Sequence, residues 1–224
     1  MRQVFFDFDG VLNNMLDVWV AHNNEASNKN LKPEDILSWN GIAEQYSDIN
    51  AYAFLDDHAY HKDAKYQVEV EHDMLAVMEK CIKHSAVNTQ ILTSTMDKHF
   101  DVKMLWMNEN LIMENVRLTH IRHDSVCAFM DVSRMNADYN LKVVHDHFKH
   151  NYAHKDAVLV DDRAANCENF VKAGGKAILY RNKDKYKFNC THELDSGIFD
   201  SLPVAQTPED VMNFIKECFD LSSL

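Results

Sequence analysis

Four aspartates stand where a chain can do chemistry. Asp7 and Asp9 fall in Phe5-Phe6-Asp7-Phe8-Asp9-Gly10, and Asp161 and Asp162 fall in Leu159-Val160-Asp161-Asp162-Arg163. Each pair ends a short apolar run of strand length, and Gly10 lets the backbone turn directly after the first pair. Two adjacent carboxylates in an apolar setting repel each other unless a cation compensates them. Together the four make an oxygen-rich set of the kind Mg²⁺ prefers, with room for water and a phosphate. A third apolar run ends in Thr93-Ser94-Thr95. Hydroxyls and free amides at a strand-to-helix junction suit a phosphate group.

Three such ends can meet only if the strands lie side by side with their carboxyl ends together, as in an open parallel α/β sheet. The apolar runs at residues 3–6, 89–92, 115–121, 157–160 and 177–180 are short and nearly continuous, as parallel strands covered on both faces should be. Helical patterns separate them. Leu75, Met78 and Ile82 repeat at helical spacing between Glu71 and His84, and Thr207-Pro208-Glu209-Asp210 carries an N-cap, a first-turn proline and first-turn acids. Gly174 and Gly175 close another helix. The reading is a doubly wound, Rossmann-like parallel sheet. The stretch between the first two strands has helical spacing (Leu12, Leu16, Trp19; 33–39) and many aromatics but little strand character. It is read as a small helical cap over 14–67, inserted into a core formed by 1–13 and 68–224.

The composition is that of one globular core with an appendage: 224 residues, 46% apolar, 26% charged, five Gly and three Pro. A net charge of −12 disfavours extended nucleic acid as a partner but not a metal-bound small anion. No apolar run approaches membrane-spanning length and no secretory segment opens the chain, so a cytosolic address is expected. The five cysteines are widely spread without a CxxC pair, so they are read as core thiols.

The ordered set of DxDG, Thr93, a lysine and the Asp161-Asp162 pair resembles the haloacid dehalogenase-like (HAD) superfamily, over about residues 4–180 outside the insertion. The resemblance implies a phosphatase. Asp7 would attack phosphorus to give an aspartyl-phosphate, and Asp9 would protonate the leaving oxygen and then activate water. Thr93, with Ser94, would bind the phosphoryl oxygens. Asp7, Asp162 and the backbone carbonyl of Asp9 would hold Mg²⁺, with Asp161 acting through water or holding the lysine. Lys142, placed ahead of a supposed amphipathic helix and 19 positions before Asp161, is the first choice for that lysine. Lys103 is the alternative, and Asp138 is either a partner that orients Lys142 or an N-cap.

The early part of the chain is similar in layout to 5'(3')-deoxyribonucleotidases, and the later part to the 3'-phosphatase domain of polynucleotide kinases. A small phosphomonoester, such as a (deoxy)nucleoside monophosphate, is therefore the first substrate reading. A polynucleotide 3'-phosphate is the second, and a non-catalytic phosphate-binding domain the third. A nucleotide base could stack on Trp19, Tyr46 or Phe54 of the cap, although packing within the cap is the competing reading for each. The histidines, including the pair His120 and His123 and the trio His147, His150 and His154, are read as ordinary side chains without a metal.

Overall fold

The computed structural model describes residues 1–36, 41–57, 59–61, 65–122, 125–126, 137–181 and 202–221. Its centre is an eight-stranded sheet in the order β4-β3-β5-β2-β1-β6-β7-β8. The strands are β1 (Arg2–Phe6), β2 (Val87–Thr93), β3 (Val116–Arg122), β4 (Ser125–Val126), β5 (Tyr139–His145), β6 (Ala157–Asp161), β7 (Lys176–Tyr180) and β8 (Val204–Ala205). Every neighbouring pair runs parallel except β3 with β4. This is the doubly wound sheet that the apolar runs require.

Both faces of β1 are covered, which explains its unbroken apolar run. Val4 and Phe6 belong to one buried cluster, and Phe5 belongs to a second, on the other face, with Leu159 and Phe170. The helices are α1 (Met15–Ser27), α2 (Gly41–Gln45), α3 (Ala53–Asp57), α4 (His72–Lys83), α5 (Phe100–Asn110), α6 (Ala164–Lys172) and α7 (Pro208–Phe219). Thr207 caps α7 as its sequence demands. Its Oγ1 accepts from the Asp210 amide at 3.1 Å, and the Asp210 carboxylate accepts from the Thr207 amide at 2.9 Å. Such a cap contributes about 1 kcal/mol. Among the described residues, no helix is long and apolar enough to cross a membrane.

One element differs from the sequence reading. The run around Lys142, read as leading into a helix, is β5, wedged between β2 and β3. Its burial alternates at first, Asn140 and Lys142 exposed and Leu141 and Val143 buried, and then turns continuous through His145. That is the period of a strand, and β-branched Val143 and Val144 favour it. A short 3-10 helix, Lys149–Tyr152, follows.

Between β1 and α4 the chain forms α1, α2 and α3, and it leaves and rejoins the core beside an isolated bridge between Asn13 and Val70. Trp19, Tyr46 and Phe54 are all fully buried in this segment. The Trp19 Nε1 donates to the Ala51 carbonyl at 2.5 Å, and the Tyr46 hydroxyl donates to Asn24 Oδ1 at 2.8 Å. The stacking surface considered for a nucleotide base is therefore packed core.

Candidate active site

The carboxyl ends of β1 and β6 lie side by side, joined where the Asp7 amide donates to the Val160 carbonyl at 2.8 Å. That register brings the two acid pairs together. Gly10 takes φ +77°, and a Cβ there would stand 2.3 Å from Asp162 Oδ2. The turn can approach Asp162 this closely only because position 10 has no side chain.

Asp7, Asp161 and Asp162 are buried, and each offers a carboxylate oxygen within 4.8 Å of the others'. One cation reaches into them. Lys149, at the start of the 3-10 helix after β5, is 4% exposed; its Nζ lies 2.7 Å from Asp7 Oδ2 and 2.6 Å from Asp161 Oδ2. Three carboxylates against one ammonium leave two negative charges in a buried space. Burial, with the Asp161 and Asp9 charges adding to it, pushes Asp7 up to about 7 despite Lys149. Asp162 is raised well above its ordinary value, again by burial first and then by Asp161 and Asp7. Lys149 is raised as well: burial alone would lower it, but the Asp161 and Asp7 charges outweigh burial and hold the ammonium protonated.

Asp161 is engaged by the protein on both oxygens. Oδ2 accepts from Lys149, Oδ1 accepts from the Arg163 amide at 2.8 Å, and the Asn166 amide on α6 donates to both, at 3.1 and 3.0 Å. The cluster fits a divalent metal by its donor set, all oxygen with a charge deficit of two. Among the described residues, no other group of three or more metal-type side chains comes together.

Asp9 faces elsewhere. Its carboxylate accepts from Lys103 Nζ at 2.6 Å, from the Tyr60 hydroxyl and from the Asn13 amide at 3.1 Å. Burial alone would raise Asp9, but the Lys103 charge and these bonds outweigh it and hold the group below the usual carboxylate range. Lys103, buried on α5, also donates to Thr93 Oγ1 at 2.8 Å and to the Ser94 carbonyl at 3.1 Å. Tyr60 comes from the segment between β1 and α4, with φ +69° and its ring stacked on Phe8 at 6.0 Å. The cleft above the carboxylates has a volume of about 210 Å³, and Met15 and Leu55 of the same segment close its other side.

Solved structures share this arrangement of elements. The chain matches a HAD family hydrolase from Deinococcus radiodurans, determined with bound phosphate and sodium, over 100% of its own length and 99% of that chain, at 11% identity and TM-score 0.55. It matches a putative beta-phosphoglucomutase from Thermotoga maritima over 97% and 99%, at 14% identity and TM-score 0.51. A haloacid dehalogenase-like hydrolase from Streptococcus pneumoniae matches over 96% and 98%, at 11% identity and TM-score 0.50. The chain has the haloacid dehalogenase-like fold. No protein-family model and no curated protein matches its sequence.

Within this HAD-like core the sequence-chosen residues divide. Asp7, Asp161 and Asp162 meet, and Asp9, Thr93, Ser94 and Lys103 adjoin them. Ser94 is exposed, its hydroxyl shared with His147 Nδ1. Lys142 is not there. It lies exposed on β5, in register with Gln90 and Thr119, and Asp138 is exposed before it. The lysine against Asp7 and Asp161 is Lys149, seven residues later, because β5 must end before its chain can turn back over the carboxyl edge. Tyr60, Asn13 and Asn166 carried no signal in the sequence, since they act through contacts made only on folding. His123, Cys127 and Cys190 lie outside the described residues. Cys81 and Cys167 are buried thiols and Cys218 is half-buried.

Proposed function

We propose that the chain is a phosphomonoester hydrolase of small substrates in which Asp7 is the nucleophile. The observation that carries this reading is Asp7 itself: a buried carboxylate at a strand end, held by Lys149 and sharing its space with Asp161 and Asp162. Asp7 and Asp162, with the backbone carbonyl of Asp9, would hold Mg²⁺, while Asp161, already engaged by Lys149, Arg163 and Asn166, positions the lysine. Mg²⁺, when bound, supplies the positive charge that lets a carboxylate and a phosphate, both anions, approach.

An Asp7 oxygen bonds to phosphorus as the ester P–O bond breaks, and the departing oxygen takes a proton from Asp9. Water then attacks the aspartyl-phosphate, returns a proton to Asp9, and frees phosphate and Asp7. Held ionised by Lys103, Tyr60 and Asn13, Asp9 is set for the second half of this cycle, in which it accepts a proton. Its acid half requires that grip to relax. The hydroxyl of Thr93 and the ammonium of Lys103 stand beside Asp9, ready for the phosphoryl oxygens. A nucleoside monophosphate remains one candidate substrate, without the stacking on Trp19, Tyr46 or Phe54 that would have singled it out.

The test is phosphate release from phenyl phosphate with and without Mg²⁺. Asp7→Asn should abolish it while the chain still melts cooperatively, because the substitution removes charge from a site with an excess. Asp162→Asn should raise the Mg²⁺ needed for half-maximal rate more than Asp161→Asn does. An active Asp7→Asn enzyme would end the nucleophile assignment, and the opposite Mg²⁺ ranking would exchange the roles of the two aspartates.

A further inference from the structure

The cleft over Asp7 is not the largest cavity in the molecule. A second one, of about 410 Å³, opens on the same carboxyl edge of the sheet, past the ends of β2, β3 and β5. The two adjoin. Ser94 lines the first and Thr95 the second, and the hydroxyl of Ser94 meets the ring of His147, which lines the second two residues before Lys149. A group bound in the second cavity therefore lies next to whatever Thr93, Ser94 and Lys149 hold.

We infer that this cavity receives the non-phosphate part of the substrate, and that this part is an uncharged, hydroxyl-bearing ring. The inference rests on the phosphatase reading for its direction and on the cavity's own walls for its chemistry.

Opposite the carboxylates, the described residues that the β1–α4 segment lends to the small cleft are the apolar Met15 and Leu55, which offer no side-chain hydrogen bond to a hydroxylated group. The larger cavity alternates polar and apolar wall. Arg122, Asp146, Asn151 and Tyr152 supply donors and acceptors, while the ring of Phe148 is 61% exposed. An exposed aromatic face beside paired polar groups suits a ring with an apolar face and hydroxyl edges. The polar groups are braced from within. Asp146 accepts from the Phe148 amide at 2.8 Å and from the Tyr152 hydroxyl at 3.1 Å, and Arg122 pairs with Asp97 while its guanidinium lies 4.7 Å from the Phe100 ring centre. Braced groups bind with less loss of side-chain freedom.

The charge of the described walls disfavours a second phosphate. Among the described lining residues the carboxylates Asp97 and Asp146 outnumber the guanidinium of Arg122, and burial pushes His145 far down. Two carboxylates against one guanidinium disfavour another anion and tolerate a neutral ring. A cavity of this volume has room for a pyranose or for a nucleoside, and both carry the same recognisable feature.

Titration calorimetry in Mg²⁺ tests the inference on the full chain carrying Asp7→Asn, so that substrates bind without turning over. The probes are phenyl phosphate, glucose 6-phosphate and deoxyadenosine monophosphate. One or both hydroxylated esters should bind at least tenfold more tightly than phenyl phosphate, and the tighter one identifies the ring. Adding Phe148→Ala or Asn151→Ala, both at exposed positions, should narrow that preference by about 2- to 10-fold, the worth of one aromatic or hydrogen-bonded contact. No preference for either hydroxylated ester, or a preference unmoved by both substitutions in chains of unchanged melting temperature, overturns the inference. Phosphate release from phenyl phosphate by the unsubstituted chain is measured in parallel. If there is none, the phosphatase reading fails while the binding preference still decides the cavity's ligand.

Discussion

Replacing Lys149 with methionine is the sharpest test of the site's electrostatics. Methionine keeps most of the side chain's length and removes the charge, leaving Asp7, Asp161 and Asp162 with carboxylate oxygens within 4.8 Å of each other and no ammonium between them. Lys149 is 4% exposed, so solvent screens little of the loss. Removing one partner from a buried ion pair costs about 3–5 kcal/mol. In a chain of this size that corresponds to a fall in melting temperature of ~6–20 °C. Urea and thermal unfolding in EDTA should show the full deficit, and saturating Mg²⁺ should restore part of it, because an ion that binds only the folded state stabilises it. Lys142→Ala, at an exposed strand position, should stay within about 0.5 kcal/mol of the parent and keep its turnover. A Lys149→Met chain that loses less than about 1 kcal/mol in EDTA, or a Lys142→Ala chain that loses more, would refute the electrostatic argument.

Trp19→Ala should cost about 3–5 kcal/mol through the cavity it leaves, and lower phosphate release from phenyl phosphate and from deoxyadenosine monophosphate together; a selective loss on the nucleotide at unchanged melting temperature would return Trp19 to the binding surface. Burial lowers His120 to about 4, and its Nδ1 lies 3.0 Å from His145 Nε2. The unfolded chain therefore takes up the proton first, and stability should fall by about 1.4 kcal/mol per pH unit as pH drops from about 6.5 towards about 4, then level off for this group. Asp7, whose folded value is raised, acts in the opposite sense as pH falls through about 7, so urea midpoints are compared in saturating Mg²⁺ between the parent and His120→Asn. Parallel curves from pH 7 to 5 would refute the assignment to His120.

The fold and the acids were legible because each rests on local pattern. Continuous apolar runs announce strands buried on both faces, and β1, β2, β6 and β7 follow from them, while β3 buries alternate positions (Val116, Leu118, His120). The acid pairs stand at strand ends, so placing the strands places the carboxylates. Lys149 was not legible because its position depends on β5 being a strand, and His147, Phe148 and Lys149 extend the same apolar and basic mixture past the strand's end. The alternation of Asn140 and Lys142 with Leu141 and Val143 was the signal available. Read at period two, it ends the strand near His145 and leaves Lys149, not Lys142, on the turn facing the acids. Lys103 illustrates the converse. In sequence it is the alternative site lysine, with a solvated helix lysine as the competing reading, and burial against Asp9, Thr93 and the rings of Phe8 and Tyr60 separates the two.

Tyr60 makes the segment between β1 and α4 something other than a detachable roof. Its hydroxyl grips Asp9 directly, so that segment cannot lift from the core without letting go of this carboxylate. Exchanging it for a foreign insertion would alter more than the shape of the entrance. A chimera with no hydroxyl at this point would keep Lys103 and Asn13 on Asp9 but lose one of the three groups that hold it ionised. Redesign of the entrance to this cleft therefore has to carry Tyr60 along, or accept an Asp9 that is less firmly held in its ionised form.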